Sequence, residues 1–371
     1  MKQLVLVGAG HAHAQVLRVL ASRPLDDTRV VLVSPYALAP YSGMVPGWLA
    51  GHYDWNDCCI DFQRLCQRAG ATFLLDSVSA LDTHRSQLFL SSGAPLDYNW
   101  LSLNHGATLH VPQSDRIMVL PMRPLAQLHE RWNRLLGTVQ ALPPGSSWRV
   151  LMIGGGAAGV ESILAARHQL TVLAPAVKFE FSLATQGSQL MSGHSAMAAS
   201  IMRKHLARAG IRVHYEFKFA ALDGDQVTST SGAAIATDAV LWATGAQAHE
   251  WPGRSGLSVD RNGFIRVDDM LRARSHPHVF AAGDCASWEP ALPKAGVVAV
   301  RMGPILADNI LASVRGRHLT RYLPQRRHLA LIGSGGHHAV ASWGALGWQG
   351  NWVWNWKERI DRNFVAKYNE T

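Results

Sequence analysis

Leu4-Val5-Leu6-Val7 is an unbroken apolar run that stops at Gly8-Ala9-Gly10. Beyond it Val16, Leu17, Val19 and Leu20 supply apolar positions at helical spacing. The pattern predicts a strand over residues 2–7, a helix over 11–22 and a second strand over 29–33. That second strand barely alternates, as expected of a strand covered on both faces. The sequence of strand, glycine turn, helix and strand is a βαβ unit. It recurs: Val150-Leu151-Met152-Ile153 feeds Gly154-Gly155-Gly156-Ala157-Ala158-Gly159, and this second unit runs from residue 149 to about 173.

Between the units lies an irregular stretch, 34–47, rich in Pro, Gly and Tyr. A loop of that length in a compact domain is usually functional. A helix is predicted at 60–69, strands at 71–75, 87–91 and 97–103, then a connector at 112–148. The connector carries one helix, on which Leu125, Leu128, Trp132 and Leu135 share a face, and ends in the breaker Pro143-Pro144-Gly145. After the second unit come a helix at 194–209, a strand at 211–215 and a β-meander around Asp223-Gly224-Asp225. Strands at 238–242 and 279–282 end in Ala243-Thr244-Gly245 and Gly283-Asp284, and a helix follows at 294–314. From residue 337 the tail changes character and crowds Trp343, Trp348, Trp352, Trp354 and Trp356 together.

Composition narrows the class. With 371 residues, 48% of them hydrophobic and 16% charged, the chain is globular and large enough for two or three domains. Its formal net charge of +9 is not gathered into Lys/Arg blocks or interleaved with aromatics, so no nucleic-acid partner is expected. The four cysteines, Cys58, Cys59, Cys66 and Cys285, form no Cys-x-x-Cys pair. An adjacent pair is strained as a disulfide. Buried thiols in a reducing, cytoplasmic setting are therefore expected. No signal-peptide pattern and no transmembrane span are read. The 18 histidines, His337-His338 included, lack ligand spacing, and no metal site is expected.

A strand that turns through glycines into a helix lets backbone N–H groups approach a pyrophosphate. Two such turns together with Asp284 point to two dinucleotides in one protein, as electron transfer between cofactors requires. The usual third glycine of the first turn is replaced by His13, which should hold the helix away from the strand or force repacking. At the ribose-binding position the first unit has Ser34-Pro35, and the second is read as Ala174-Pro175, with no carboxylate in either. Lys178 then reads as a contact for a 2′-phosphate or as a solvated loop lysine.

Tyr41-Ser42-Gly43-Met44-Val45-Pro46-Gly47, Gly51-His52-Tyr53, Gly10-His11-Ala12-His13 and Pro293-Lys294-Ala295-Gly296 extend the pattern. With the two glycine turns they resemble the two-dinucleotide-binding flavoproteins of the glutathione reductase-like, or pyridine nucleotide-disulfide oxidoreductase, superfamily. Within it the chain is similar to the type II NADH dehydrogenase and sulfide:quinone reductase branch. It is most similar to the flavoprotein domain found fused to selenophosphate synthetase. The resemblance implies an α/β protein with two Rossmann-like domains and a short C-terminal flap. It divides the chain into a discontinuous FAD domain (1–117 and 246–333), an NAD(P)-binding-like domain (118–245) and a Trp-rich segment (334–371).

By the same resemblance, Gly8, Gly10, Ser34, Pro46, Asp284 and Lys294 contact FAD. Gly154, Gly156, Gly159 and Glu161 meet NAD(P)H, with Glu161 and Lys294 as the catalytic candidates. Each has a plainer reading: Asp284 as a helix cap, Glu161 as a carboxylate complementing a helix N-terminus, Lys294 as an exposed lysine. A disulfide reductase needs a cysteine pair at the flavin, and none fits. The expected activity is electron transfer from NAD(P)H through flavin to a quinone or similar small acceptor. The alternatives are a flavoprotein of selenium or sulfur metabolism and a non-catalytic flavin redox sensor. The Trp tail with Lys357, Arg359, Arg362 and Lys367 reads as a peripheral contact with the cytoplasmic face of a membrane, or as packing over the flavin pocket or a homodimer interface.

Overall fold

The computed structural model describes residues 2–325 and 327–370. The chain opens with β1 (Lys2–Val7), α1 (His11–Ser22) and β2 (Thr28–Ser34). The stretch expected to be irregular folds further, into a short strand at Leu38–Pro40 and the one-turn helix α2 (Val45–Leu49). Next come β3 (Thr72–Leu75), β4 (Trp100–Leu103), β5 (Met118–Pro121) and α3 (Leu128–Gln140). The second unit is β6 (Ser147–Ile153), α4 (Ala157–Leu173) and β7 (Lys178–Ala184), then α5 (Ala196–Arg208), β8 (Arg212–His214) and β9 (Ala239–Trp242). Beyond it lie β10 (Arg272–Ala273), β11 (His276–Ala281) and α6 (Gly296–Val314). The last elements are β12 (Ala330–Gly333), β13 (Ala339–Trp343), β14 (Leu346–Gly350) and α7 (Asn351–Asn369).

Two sheets organise the molecule. The first runs β10-β11-β4-β1-β2-β3, parallel except at β10, so it joins residues from both ends of the sequence. The second runs β5-β9-β6-β7-β8, entirely parallel, within residues 118–242. Both are Rossmann-type, with β1 and β6 central and buried on both faces, as their unbroken apolar runs require. α1 packs closely on α6 because Gly303 has no side chain; an added Cβ would stand 2.9 Å from Gln15 Cβ. α6 has the length and composition of a membrane span, yet half of that window is buried inside the protein.

The second unit differs from expectation. The unit is expected to end at about residue 173, but residues 170–173 are the last turn of α4, with Thr171 Oγ1 donating to Arg167 O at 2.7 Å. Its second strand is β7, which the sequence reading passed over. The tail is a three-stranded antiparallel sheet, β12-β13-β14, followed by the 19-residue helix α7. α7 buries Val353 and Trp354 in the core beneath the second sheet and Tyr368 in the core of the first. Its end is fastened by Tyr368 Oη to Gln15 Oε1 (3.2 Å) and by Asn369 Nδ2 to Cys59 O (2.8 Å).

Candidate functional site

At the first turn Gly8 sits at φ +96, and an added Cβ would lie 2.4 Å from His105 Cα. Only glycine fits there. His13 neither displaces the helix nor forces it outward. Its ring is fully buried, with Nδ1 2.7 Å from Gly8 O and Nε2 2.9 Å from Ser102 Oγ. The imidazole thus occupies the space a third glycine would leave empty and ties β1 to β4; burial holds its pKa down at about 4. Asn104, not singled out from the sequence, completes the corner. Its Oδ1 accepts from the Ala12 and His13 amides, and its Nδ2 donates to Ala282 O at 2.6 Å.

Asp284 lies in a single 3-10 turn, Gly283–Cys285, and accepts from Arg123 Nη1 at 2.5 Å. Arg123 follows β5 of the other sheet, so this ion pair joins the two halves of the site. No local signal in the sequence marks it. His11, at the start of α1, packs between Tyr41 and Phe364, with ring centroids 5.5 and 5.9 Å away. Burial lowers its pKa to about 4, with Asp284 opposing. Pro46 is buried in α2. Ser34 is also buried, and its hydroxyl turns back to donate to Tyr36 O at 2.9 Å. Lys294 precedes α6 and donates to Ala286 O, with its ammonium 3.8 Å from the Phe264 ring centroid. Burial lowers its pKa, while Cys285, Asp284 and Asp260 oppose.

The second turn has the features a pyrophosphate needs. Gly154 stands at φ +131, and a Cβ there would meet Ala243 O at 2.2 Å. A Cβ on Gly159 would meet Gly154 O at 2.0 Å, so this glycine lets α4 press against β6. Above Gly156 nothing lies within 4 Å of an added Cβ, and no side chain caps α4. The first-turn amides of a 17-residue helix are therefore available to an anion. The ribose-binding position is not Ala174-Pro175, because Ala174 caps α4; it falls at the end of β7, on Ala184 and Thr185. Lys178 begins β7, at the edge of the sheet away from the glycine turn, and does not reach a 2′-phosphate there.

Glu161 is tied to the tail. Its Oε1 accepts from the Gly333 amide at 2.6 Å. Burial raises its pKa to about 7, with Lys357 and the Gly333 amide pulling the other way. From α7, Lys357 Nζ reaches Asp361 Oδ2 and Gly43 O, each at 2.5 Å. Burial disfavours the ammonium, but the carboxylates of Asp361 and Glu161 more than reverse this and raise its pKa. Lys357 entered the sequence reading only as part of a basic tail, and Asp361 not at all. Their i, i+4 spacing was legible; their burial was not. All four cysteines are free and buried, and burial pushes each thiol up to about 12. Among the described residues no group of His, Cys, Asp and Glu is arranged to hold a metal.

Two Rossmann sheets, each with a glycine turn leading from its central strand into a helix, are the architecture of a two-dinucleotide oxidoreductase. Residues 2–303 match the profile described as pyridine nucleotide-disulphide oxidoreductase. The chain belongs to that family of flavin-dependent NAD(P)H oxidoreductases, with FAD as resident cofactor. The ferredoxin–NAD(+) reductase component of the biphenyl dioxygenase system of Paraburkholderia xenovorans is 32% identical over 297 residues, 77% of this chain and 67% of that protein. An NADH dehydrogenase-like protein of Mycobacterium tuberculosis is 25% identical over 296 residues, 77% of this chain and 73% of its own length. Among solved structures, the sulfide:quinone oxidoreductase of Aquifex aeolicus superposes with a TM-score of 0.80 at 16% identity, covering 100% of this chain and 92% of that one. NDH2 of Plasmodium falciparum, in complex with NADH, gives 0.79 at 13% identity, over 98% and 97%.

Proposed function

We propose that this protein passes electrons from NAD(P)H through FAD to a quinone or similar small acceptor, with no cysteine relay. The observation that carries the reading is the grouping of half-buried Glu161 with the buried pair Lys357 and Asp361. It places a carboxyl with a pKa of about 7 beside a buried ammonium. A quinone needs protons as well as electrons, and a carboxyl that titrates near neutrality can give one and take another. FAD, when bound, supplies the two-electron relay between donor and acceptor. Gly156 leaves the N-terminus of α4 open to the donor's pyrophosphate, above the close turn that Gly154 and Gly159 allow, while Gly8 and Gly10, packed against His105 and Asn104, keep the first turn tight beside FAD. Asp284, with Arg123 beside it, is the partner for a ribityl hydroxyl. Pro46 and Lys294 flank the flavin site from α2 and from the approach to α6.

The high thiol pKa values favour direct reduction of the acceptor over thiol exchange. The exposed face of α7 supports a peripheral membrane location, where a lipophilic acceptor would be found. Trp352 and Trp356 stack with centroids 6.4 Å apart, and Ile360 continues the row one turn on. The deciding experiment is anaerobic mixing of the yellow protein with NADH or NADPH, followed by a soluble quinone. The reading requires rapid loss of flavin colour and its return with quinone. Persistent colour with both nucleotides would sink it. Return of colour with selenite or polysulfide but not with quinone would move the acceptor to selenium or sulfur chemistry.

A further inference from the structure

The nicotinamide half of the site lacks its usual ribose contact. A carboxylate at the end of the strand after the glycine helix binds the 2′-hydroxyl of NAD(H) and repels the 2′-phosphate of NADP(H). Here that strand is β7, and it ends in Ala184, Thr185 and Gln186. The neighbouring strand supplies what is missing. Past the end of β8 the chain is zipped to the end of β7 by three backbone hydrogen bonds. Thr185 N donates to His214 O at 2.9 Å, Phe217 N to Thr185 O at 2.9 Å, and Glu216 N to Gly187 O at 3.2 Å. These bonds hold Glu216 beside the ribose position. Its backbone has φ +53, a left-handed conformation that costs a non-glycine residue energy and is kept only where the surroundings impose it. Its side chain is exposed, and among the described residues its carboxylate makes no ion pair. By contrast, Glu180 on β7 is already engaged by Arg212.

We infer that Glu216 supplies the carboxylate that reads the adenosine ribose, carried on the strand next to the one that normally bears it. It selects NAD(H) over NADP(H). The inference rests on the proposed use of a nicotinamide donor. Titration calorimetry of the full-length, FAD-loaded protein with NAD+ and with NADP+ tests it. A charge-assisted hydrogen bond to a sugar hydroxyl corresponds to about tenfold in affinity. The wild-type protein should bind NAD+ at least about tenfold more tightly than NADP+. Glu216→Gln should erase that preference with flavin content and melting temperature unchanged. NAD+ affinity unaffected by Glu216→Gln would overturn the assignment while leaving the donor reading intact. Failure of the wild-type protein to bind either nucleotide would overturn both.

Discussion

Lys357 and Asp361 form an ion pair 2.5 Å long with both side chains more than nine-tenths buried, one turn apart on the last helix. Lys357 also holds the Gly43 carbonyl, in the loop that leads into α2. A pair so enclosed stabilises only as a pair, since removing one member strands the other charge away from water. Asp361→Leu alone should cost about 3–5 kcal/mol in denaturant unfolding. The double change Lys357→Met/Asp361→Leu should recover most of that loss. If the single and double variants were equally unstable, the helix would be held by packing, not by the pair.

Glu161 should leave its mark on the pH dependence. Its folded pKa, about 7, lies above the ordinary carboxylate value of 4.5. Between those values the folded protein binds the extra proton. Its contribution to stability is therefore greatest at low pH and falls as pH rises through about 7. Glu161→Gln should flatten that slope in urea titrations at several pH values. It should also remove an inflection near pH 7 from the rate of flavin reoxidation by quinone, while leaving reduction by the nucleotide nearly unchanged.

The two histidines of α1 act in the opposite sense. His11 and His13 are held at about 4, below the ordinary 6.5, because burial disfavours the imidazolium. The unfolded chain binds their protons first, so stability is full above 6.5 and declines as pH falls toward 4. His13→Ala removes this protonation penalty at one site but also strands Gly8 O and Ser102 Oγ and leaves a cavity. It should destabilise the protein at pH 7 by about 2–4 kcal/mol and make unfolding less sensitive to acid. An unchanged acid profile would contradict the assignment of the neutral ring.

The two dinucleotide sites should separate by mutation. Asp284→Ala removes the partner of Arg123 and should release FAD, read as loss of yellow colour on gel filtration. Gly159→Ala forces a methyl to within 2.0 Å of Gly154 O, so the turn must open. It should abolish NAD(P)H-driven bleaching while FAD remains bound. Full flavin retention in Asp284→Ala would remove the aspartate from the cofactor site.

The tail can be tested on lipid. Replacing Trp352 and Trp356 by serine removes two exposed indoles, each able to contribute about 2 kcal/mol when buried. Sedimentation with anionic vesicles should weaken by at least about tenfold, with quinone reduction in detergent preserved. Equal binding by wild type and variant would leave this face to another role.

The parts of this molecule that repeat were readable from sequence, and those that meet only in space were not. β1 and β6 announce themselves as apolar runs before glycines, and residues 157–169 continue as a helix for the same reason. The second unit's expected end at about residue 173 falls in the last turn of its helix, so the true strand at 178–184 and its Thr185 end lie beyond it. Asn104 and Arg123 had no local signature, because each takes its meaning from a partner a long way off in sequence. His13 breaks the glycine pattern, and only the Ser102 hydroxyl on a neighbouring strand explains how it fits.

β11 lies beside β4 in the first sheet although the whole second sheet is encoded between them. During synthesis the Gly8 turn and the Asn104 corner are therefore made long before Ala282 and Asp284 emerge to complete them. The first sheet must wait, with the edge of β4 unpaired, while the inserted sheet can already close its five parallel strands. Order of appearance thus opposes order of completion: the half that begins first is finished last, after the whole second sheet has been made.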